Sequence, residues 1–411
     1  MIRSMDKNKA SGNMVRSVKW VFVERIIQVA VALIVNTFLA RYLGAERFGD
    51  LQGSLSTVAI FASVALLCSA EVIAPLYSKD QKLHQQLFEK AFVLRIWLAL
   101  ISIAGCILFC LYTGQPLTLI LAFLIAGIIF QEPFNVYGLF FQTEGRQDIF
   151  SRIRIAGVVT KLLIVIGLVA MGAQSQYFGT PYLVEALLVA ALLAIRFHKV
   201  KHLLWKMPEP ELIRQLISSG VVFGSGIIAM VVMQKLDRMT LQHYGMRAEL
   251  GVYSAAVQIA ENWFYFSVLV VQALAARHIY QKNEQESRNT ILRLCQFLFL
   301  ITLGVAVCGL FLSTPVMTFL YGQEFVASGR YLEKLLFVAI MVFLDGILTT
   351  KILKDQQGLH FSMKWILALC CSFTYVMITH FFSWPLDPTL IPTFGYGFAM
   401  MYSIIYFMVK K

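Results

Sequence analysis

Charge is scarce in this chain, and acidic charge scarcer still. Only 14% of its 411 residues are charged, and 23 acidic residues face 35 basic ones. That is too little polar surface to cover a soluble core of this size, so a water-soluble globular fold is excluded. The usual marks of soluble enzymes are missing as well. There is no HExxH, no GxxxxGK[ST] and no GxSxG. None of the seven cysteines has CxxC spacing, no histidine cluster accompanies them, and all lie in apolar runs. They read as buried free thiols, and neither a metal nor a cofactor is expected. The first 19 residues are polar and basic, and the apolar run after them is too long for a signal-peptide core and lacks a small-residue cleavage pattern. It reads as a first membrane span, with no cleavable signal peptide.

What the chain has in quantity is apolar sequence. It is 58% hydrophobic with a mean hydropathy of +0.71. The solvent that suits this composition is a lipid bilayer. A net charge of +12 would otherwise suggest nucleic acid. In a membrane protein it follows from the excess of Lys and Arg in cytoplasmic loops, so no nucleic-acid partner is expected. Apolar length predicts twelve spans, at 18–40, 51–77, 91–113, 117–141, 153–172, 180–197, 214–236, 251–276, 292–313, 331–350, 364–382 and 390–409. The longest basic interruption, HKVKHLLWKMPEPE at 198–211, splits them six and six. The expected division is a lobe at 1–197, a cytoplasmic linker at 198–213 and a lobe at 214–411. With both termini cytoplasmic, 25 basic residues fall inside, seven outside and three within spans. That bias sets the orientation.

One short signature occurs twice. ARYLGAERFG at 40–49 follows the first span, and DRMTLQHYGMRAELGVYSAA at 237–256 follows the seventh. Tyr42 and Gly49 are seven residues apart, as are Tyr244 and Gly251, and the copies are offset by 202 positions. Two polar loops, FFQTEGRQDIF at 140–150 and LKDQQGLHF at 353–361, support the duplication, with an offset of 213 if Gly145 is matched to Gly358. The expected fold is an all-α polytopic membrane protein of twelve transmembrane helices in two six-helix lobes, a parallel internal repeat about an axis along the membrane normal. Such duplicated membrane proteins are usually carriers with a site between their halves.

An ionised group at a helix centre in lipid costs at least ~2.5 kcal/mol, so it turns toward protein or water. In span one, Glu24, Arg25, Gln28, Ala32 and Asn36 fall within an arc of about 120°. This stripe makes Arg25, Gln28 and Asn36 candidate cavity residues, with Arg25 the anion binder; a structural ion pair to a neighbouring helix is the competing account. Arg95 and Lys161 lie nearer the inside ends of their spans and are expected to snorkel. Lys235, Asp237 and Arg238 close span seven. Glu71, Glu132, Glu185, Glu261 and Asp345 are acidic groups within spans, where protonatable carboxylates form proton or cation sites.

These residues together resemble the Wzx-type polysaccharide flippases, which move O-antigen or capsule repeat units and belong to the MOP superfamily with the MATE exporters and lipid II flippases. The resemblance rests on Glu24 with Arg25, ARYLG with Phe48 and Gly49, KLDRMTLQHYG followed by LGVYSAA, and YGQEFVASGRYLEKLLF at 321–337. It implies two lobes around a cavity that opens alternately to each side of a bacterial inner membrane. It implies as substrate an oligosaccharide linked to polyprenyl pyrophosphate, coupling to protons or sodium, and work alongside a polysaccharide polymerase. On that reading Arg25, Gln28, Asn36 and Arg238 contact the pyrophosphate, and Glu24, Glu132, Asp237 and Asp345 are candidates for ion coupling. A multidrug exporter of the same fold would favour an acidic, aromatic cavity. A membrane-embedded biosynthetic enzyme would need a larger extramembrane loop than this chain carries. The orientation is tested by single cysteines in a cysteine-free background. Those at Gly114, Ser175 and Asp387 should react with an impermeant thiol reagent in whole cells, and those at Lys82, Lys201 and Gln357 should not.

Overall fold

In lipid the backbone must satisfy its own hydrogen bonds, so long apolar runs become helices. The computed structural model describes residues 2–68, 84–200, 210–275, 279 and 283–410, and all regular structure among them is helical. The helices are α1 (Ile2–Ala62), α2 (His84–Thr113), α3 (Leu119–Gln131), α4 (Asn135–Thr143), α5 (Gln147–Ala170) and α6 (Thr180–Val200). They continue with α7 (Pro210–His243), α8 (Arg247–Ala275), α9 (Glu284–Tyr321), α10 (Ser328–Lys354), α11 (Gly358–Phe381) and α12 (Leu390–Val409). Among the described residues, eleven stretches are long and apolar enough to cross a membrane. The first of them, Trp20–Leu67, holds 48 residues. At 1.5 Å per residue that is about 72 Å, more than twice the thickness of a hydrocarbon core. Gly44, with φ 73° and ψ 172°, divides it, which recovers the expected count of twelve. The protein is a multi-pass membrane protein.

Three details depart from expectation. The loop foreseen between spans one and two shrinks to the single non-helical residue Gly44. The fourth span, by contrast, is interrupted. Helix α3 stops at Gln131 because Pro133 lacks an amide proton, and the ladder resumes when the Val136 and Tyr137 amides donate to the carbonyls of Pro133 (3.1 Å) and Phe134 (3.0 Å). Helix α9 runs 38 residues, well beyond the expected 292–313.

The chain separates into two compact units, one of residues 1–39 and 61–221, the other of residues 40–60 and 222–411. The lobes at 1–197 and 214–411 follow the sequence duplication; the compact units follow packing, and they differ chiefly in where 40–60 is placed. The core of the first unit is an aromatic stack. Tyr137 lies between Phe92 and Phe197, with ring centroids 4.8 and 4.2 Å away. The second unit has two apolar clusters, one around Met233, Trp365 and Tyr396, the other around Phe343, Ile347 and Leu298.

The duplication is visible in backbone detail. Helices α5 and α11 each hold 24 residues. Each is preceded by a left-handed residue, Gly145 (φ 69°) or Gln356 (φ 54°), and followed by another, Gly172 (φ 66°) or Ser383 (φ 51°). The amides of Arg146 and Gln357 close the same wide turn onto Phe141 and Ile352. The match of Gly145 to Gly358 is therefore corrected: its counterpart is Gln356.

The two signatures themselves meet inside the second unit. A Cβ on Gly49 would collide with the Arg247 carbonyl, and a Cβ on Gly251 would collide with the Ala45 carbonyl. Ala45 and Arg247 hold equivalent places in the repeat, so the contact is reciprocal, as in a two-fold interface. Glycine is required here by close backbone approach. The YGQEF segment braces this crossing. Glu324 accepts from the Ala45 amide at 2.8 Å, capping the helix that restarts after Gly44. Arg41 donates to the Leu320 carbonyl at 2.8 Å and to that of Phe319, covering the end of α9. Phe48 packs edge-on against Phe325, and the Ser328 hydroxyl donates to the Val252 carbonyl at 2.6 Å. Gly49→Ala and Gly251→Ala should each cost about 1–3 kcal/mol through overpacking. That loss should lower the thermal midpoint of the detergent-purified protein. Gly304→Ala, where an added Cβ meets open space, should leave the midpoint unchanged or raise it.

Candidate functional site

Ionisable side chains inside the spans gather into a few networks, each within one unit. In the first unit the polar stripe of α1 faces α5. Glu24 is 7% exposed. It accepts from Gln28 Nε2 at 2.9 Å, and Arg154 Nε of α5 lies 3.3 Å from the same oxygen. Arg25 donates to Gln28 Oε1 at 3.3 Å. Glu24, Arg25 and Gln28 therefore form one network with Arg154. Asn36, two turns further along, is buried and donates to the Ala32 carbonyl of its own helix at 2.8 Å.

Arg95 and Lys161 do not reach for the headgroups as expected. Arg95 is 5% exposed and donates to the Glu132 backbone carbonyl at 3.0 Å, a carbonyl close to the helix break at Pro133. The carboxylate of Glu132 is also buried, and its Oε2 has no hydrogen-bond partner among the described residues. Lys161 pairs with Glu185 at 2.8 Å, its ammonium 5.2 Å from the centroid of the Tyr182 ring. Both cations have an acceptor on a neighbouring helix, which is cheaper than stretching a long side chain to the interface. Arg154 and Lys161, seven residues apart on one face of α5, line a cavity of about 290 Å³ with Gln131, Asn135, Tyr182 and Glu185.

Two clusters of the second unit hold candidate residues. Arg238 is 2% exposed. Its Nη2 lies 2.5 Å from Glu261 Oε1 and donates to the Gln234 carbonyl at 2.7 Å, while Nε lies 3.3 Å from Asp237 Oδ1. The Tyr253 hydroxyl donates to Asp237 Oδ2 at 2.6 Å. Lys235 completes the set at 3.1 Å from Glu261. Two cations and two anions thus balance, with Lys235 and Glu261 at the more exposed edge. In the other cluster Lys364, fully buried, donates to both oxygens of Asp345 at 3.0 and 2.9 Å and to Thr349 Oγ1 at 2.6 Å. Ser403 donates to Asp345 at 2.7 Å.

The structure brings Glu24, Arg25 and Gln28 together, and Asp237 with Arg238; Asp345 joins Lys364 instead, and Glu132 lies by Arg95 within electrostatic reach of Arg154. Glu71 lies outside the described residues. Sequence reasoning counted Arg154 and Lys364 only as basic loop residues. A helical-wheel check would have found Arg154 on the face of Lys161; nothing in the pattern pairs Lys364 with Asp345. Removing one member of a buried pair costs about 3–5 kcal/mol, while replacing both with apolar residues is far milder. Asp345→Ala and Lys364→Met should each depress the thermal midpoint and the yield, and the double variant should recover much of both. A single variant with an unchanged midpoint and lost transport would instead assign the pair to ion coupling.

The comparisons with known proteins agree with this architecture. No curated protein matches the sequence. Among solved structures, an inward-facing multidrug resistance MATE family transporter of the MOP superfamily is similar at TM-score 0.64 and 12% identity, covering 94% of this chain and 93% of that one. The lipid II flippase MurJ in an inward closed conformation is similar at TM-score 0.64 and 14% identity, covering 96% and 87%. A MOP superfamily transporter from Pyrococcus furiosus, described as having a binding pocket of reverse polarity, gives TM-score 0.62 and 12% identity over 97% and 94%. At these identities the likeness shows the fold. The sequence itself matches the polysaccharide biosynthesis protein family over residues 38–330, and to that family, in the fold of the MOP superfamily, this chain belongs.

Proposed function

We propose that the protein is a flippase rather than an enzyme. It moves an oligosaccharide linked to polyprenyl pyrophosphate from the cytoplasmic to the outer leaflet of a bacterial inner membrane by alternating access, with both termini cytoplasmic. The family match over residues 38–330 carries this reading. A lipid II flippase of the same fold is a precedent for lipid-linked cargo. The intramembrane charges support an anionic cargo. Among the described residues of the first unit, Arg25, Arg95, Arg154 and Lys161 stand against Glu24, Glu132 and Glu185, a balance that disfavours the cationic drugs of a multidrug exporter.

Arg25 is the proposed pyrophosphate contact, with Gln28 orienting it and Asn36 on the same face of α1. Arg238 contributes from the second unit by holding Glu261 beside Lys235. For proton or sodium coupling Glu132 is favoured over Glu24, Asp237 and Asp345. Those three each have two or more hydrogen-bond or ionic partners, whereas one buried oxygen of Glu132 has no hydrogen-bond partner among the described residues. A polysaccharide polymerase that consumes the exported O-antigen or capsule unit is the expected working partner.

Deletion of the gene should leave lipid-linked glycan synthesised but held on the cytoplasmic leaflet, with surface polysaccharide lost. Loss of the lipid-linked unit itself would point to a biosynthetic enzyme. Arg25→Ala should lower export ~10-fold or more at normal protein level, the worth of a charge-assisted hydrogen bond. Arg25→Lys keeps the charge without the fork and should retain partial export. A fall in protein level together with export, restored by also neutralising Glu24, would make Arg25 a structural ion-pair member.

A further inference from the structure

Six polar side chains converge in the cavity of the first unit, and their chemistry is more specific than that of a solvent-filled gap. The space is about 290 Å³. That lies at the lower edge of ligand pockets, which span roughly 300–1,000 Å³, so it suits one sugar ring and not an oligosaccharide or a drug-sized molecule. The break at Pro133 leaves Gln131 and Asn135, one on each side of it, lining this space. Their amides and the Glu185 carboxylate are planar groups that donate to or accept from hydroxyls. Tyr182 adds an aromatic wall.

The cations of the cavity are not equivalent. Lys161 is committed to Glu185 at 2.8 Å. Arg154 touches Glu24 only through Nε, at 3.3 Å, and its side chain is 45% exposed. Among the described residues nothing accepts a hydrogen bond from its two terminal nitrogens. That unfilled edge of a guanidinium fits a planar carboxylate or a phosphate through two parallel hydrogen bonds.

We propose that this cavity is a subsite for a single acidic sugar residue of the cargo. The acid group takes the fork of Arg154, and the ring hydroxyls bond Gln131, Asn135 and Glu185. The inference rests on the flippase reading and adds to it a site for the glycan beside the pyrophosphate contact at Arg25, to which Arg154 is linked through Glu24 and Gln28. The acid could be a carboxylate on the ring or a phosphate ester, and the same fork serves both.

The test uses the full chain, purified in detergent, with soluble probes followed by saturation-transfer NMR and titration calorimetry. Glucuronate, glucose 1-phosphate, glucose and inorganic phosphate are compared. Preferential binding of glucuronate, of glucose 1-phosphate, or of both over glucose and phosphate supports the subsite and identifies the acid. Glucose binding as well as the acids, phosphate binding as well as the sugar phosphate, or no binding by any probe overturns it. Arg154→Gln should weaken the preferred acid ~10-fold or more. Asn135→Leu, which keeps every charge, should also weaken the sugar acid, through the lost hydrogen bond to a ring hydroxyl. Unchanged affinity in both variants, each first shown to keep the wild-type thermal midpoint, also overturns the proposal. Because these probes need no transport, failure here leaves the flippase reading to be judged by where lipid-linked glycan accumulates.

Discussion

Water is absent from the hydrocarbon region, so each ionised side chain placed there must find its counter-charge or a polar group within the protein. Much of the architecture follows from this. Arg238 could not be carried in α7 without Glu261 and Asp237, nor Lys364 in α11 without Asp345 and Ser403. Each pairing links two or three helices and fixes their rotation about their own axes, since a helix turned by one residue would move its charge by 100°. Apolar packing gathers around Met233 and Phe343; the ion pairs choose among the packings that such apolar faces would allow.

A second requirement, close backbone approach, explains the duplicated signature. Gly49 and Gly251 recur at the same place in each copy because each must admit the other copy's carbonyl oxygen. The surrounding motif residues serve that crossing. Gly44 supplies the left-handed turn, Glu324 caps the helix that follows, and Arg41 covers the end of α9. The residues that mark the family in sequence are therefore largely those that hold two helix ends together. Glu24 with Arg25 and Asp237 with Arg238, also among those marks, belong to the ion networks instead.

That separation bears on how one fold carries different cargoes. The lipid II flippase and the multidrug transporter share this chain's architecture at 14% and 12% identity, so the scaffold tolerates replacement of nearly every side chain. Charge inside the spans is where function is free to differ. Here the first unit pairs Arg154 and Lys161 with carboxylates yet, among the described residues, leaves the terminal nitrogens of Arg154 without a hydrogen-bond acceptor. A cationic drug would meet repulsion there; an anion would meet two hydrogen-bond donors.

The sequence by itself determined the all-helical membrane class, the number of spans and the parallel duplication. Each depends on a property that every residue reports locally: apolar length against a fixed bilayer thickness, and recurrence of a motif. It also placed Glu24, Arg25 and Gln28 on one face, because helical periodicity alone decides which residues share a face. Only the tertiary structure decided partners. Arg95 and Lys161 read as snorkelling residues until Glu132 and Glu185 were brought beside them. Lys364 read as a loop charge until packing buried it against Asp345, nineteen positions away. Gly145 matched Gly358 by letter, whereas hydrogen bonding matched it to Gln356. A helix pattern tells which way a side chain points but not what stands opposite, because that depends on the rotation and depth at which a second helix docks, and these are set by the whole interface at once.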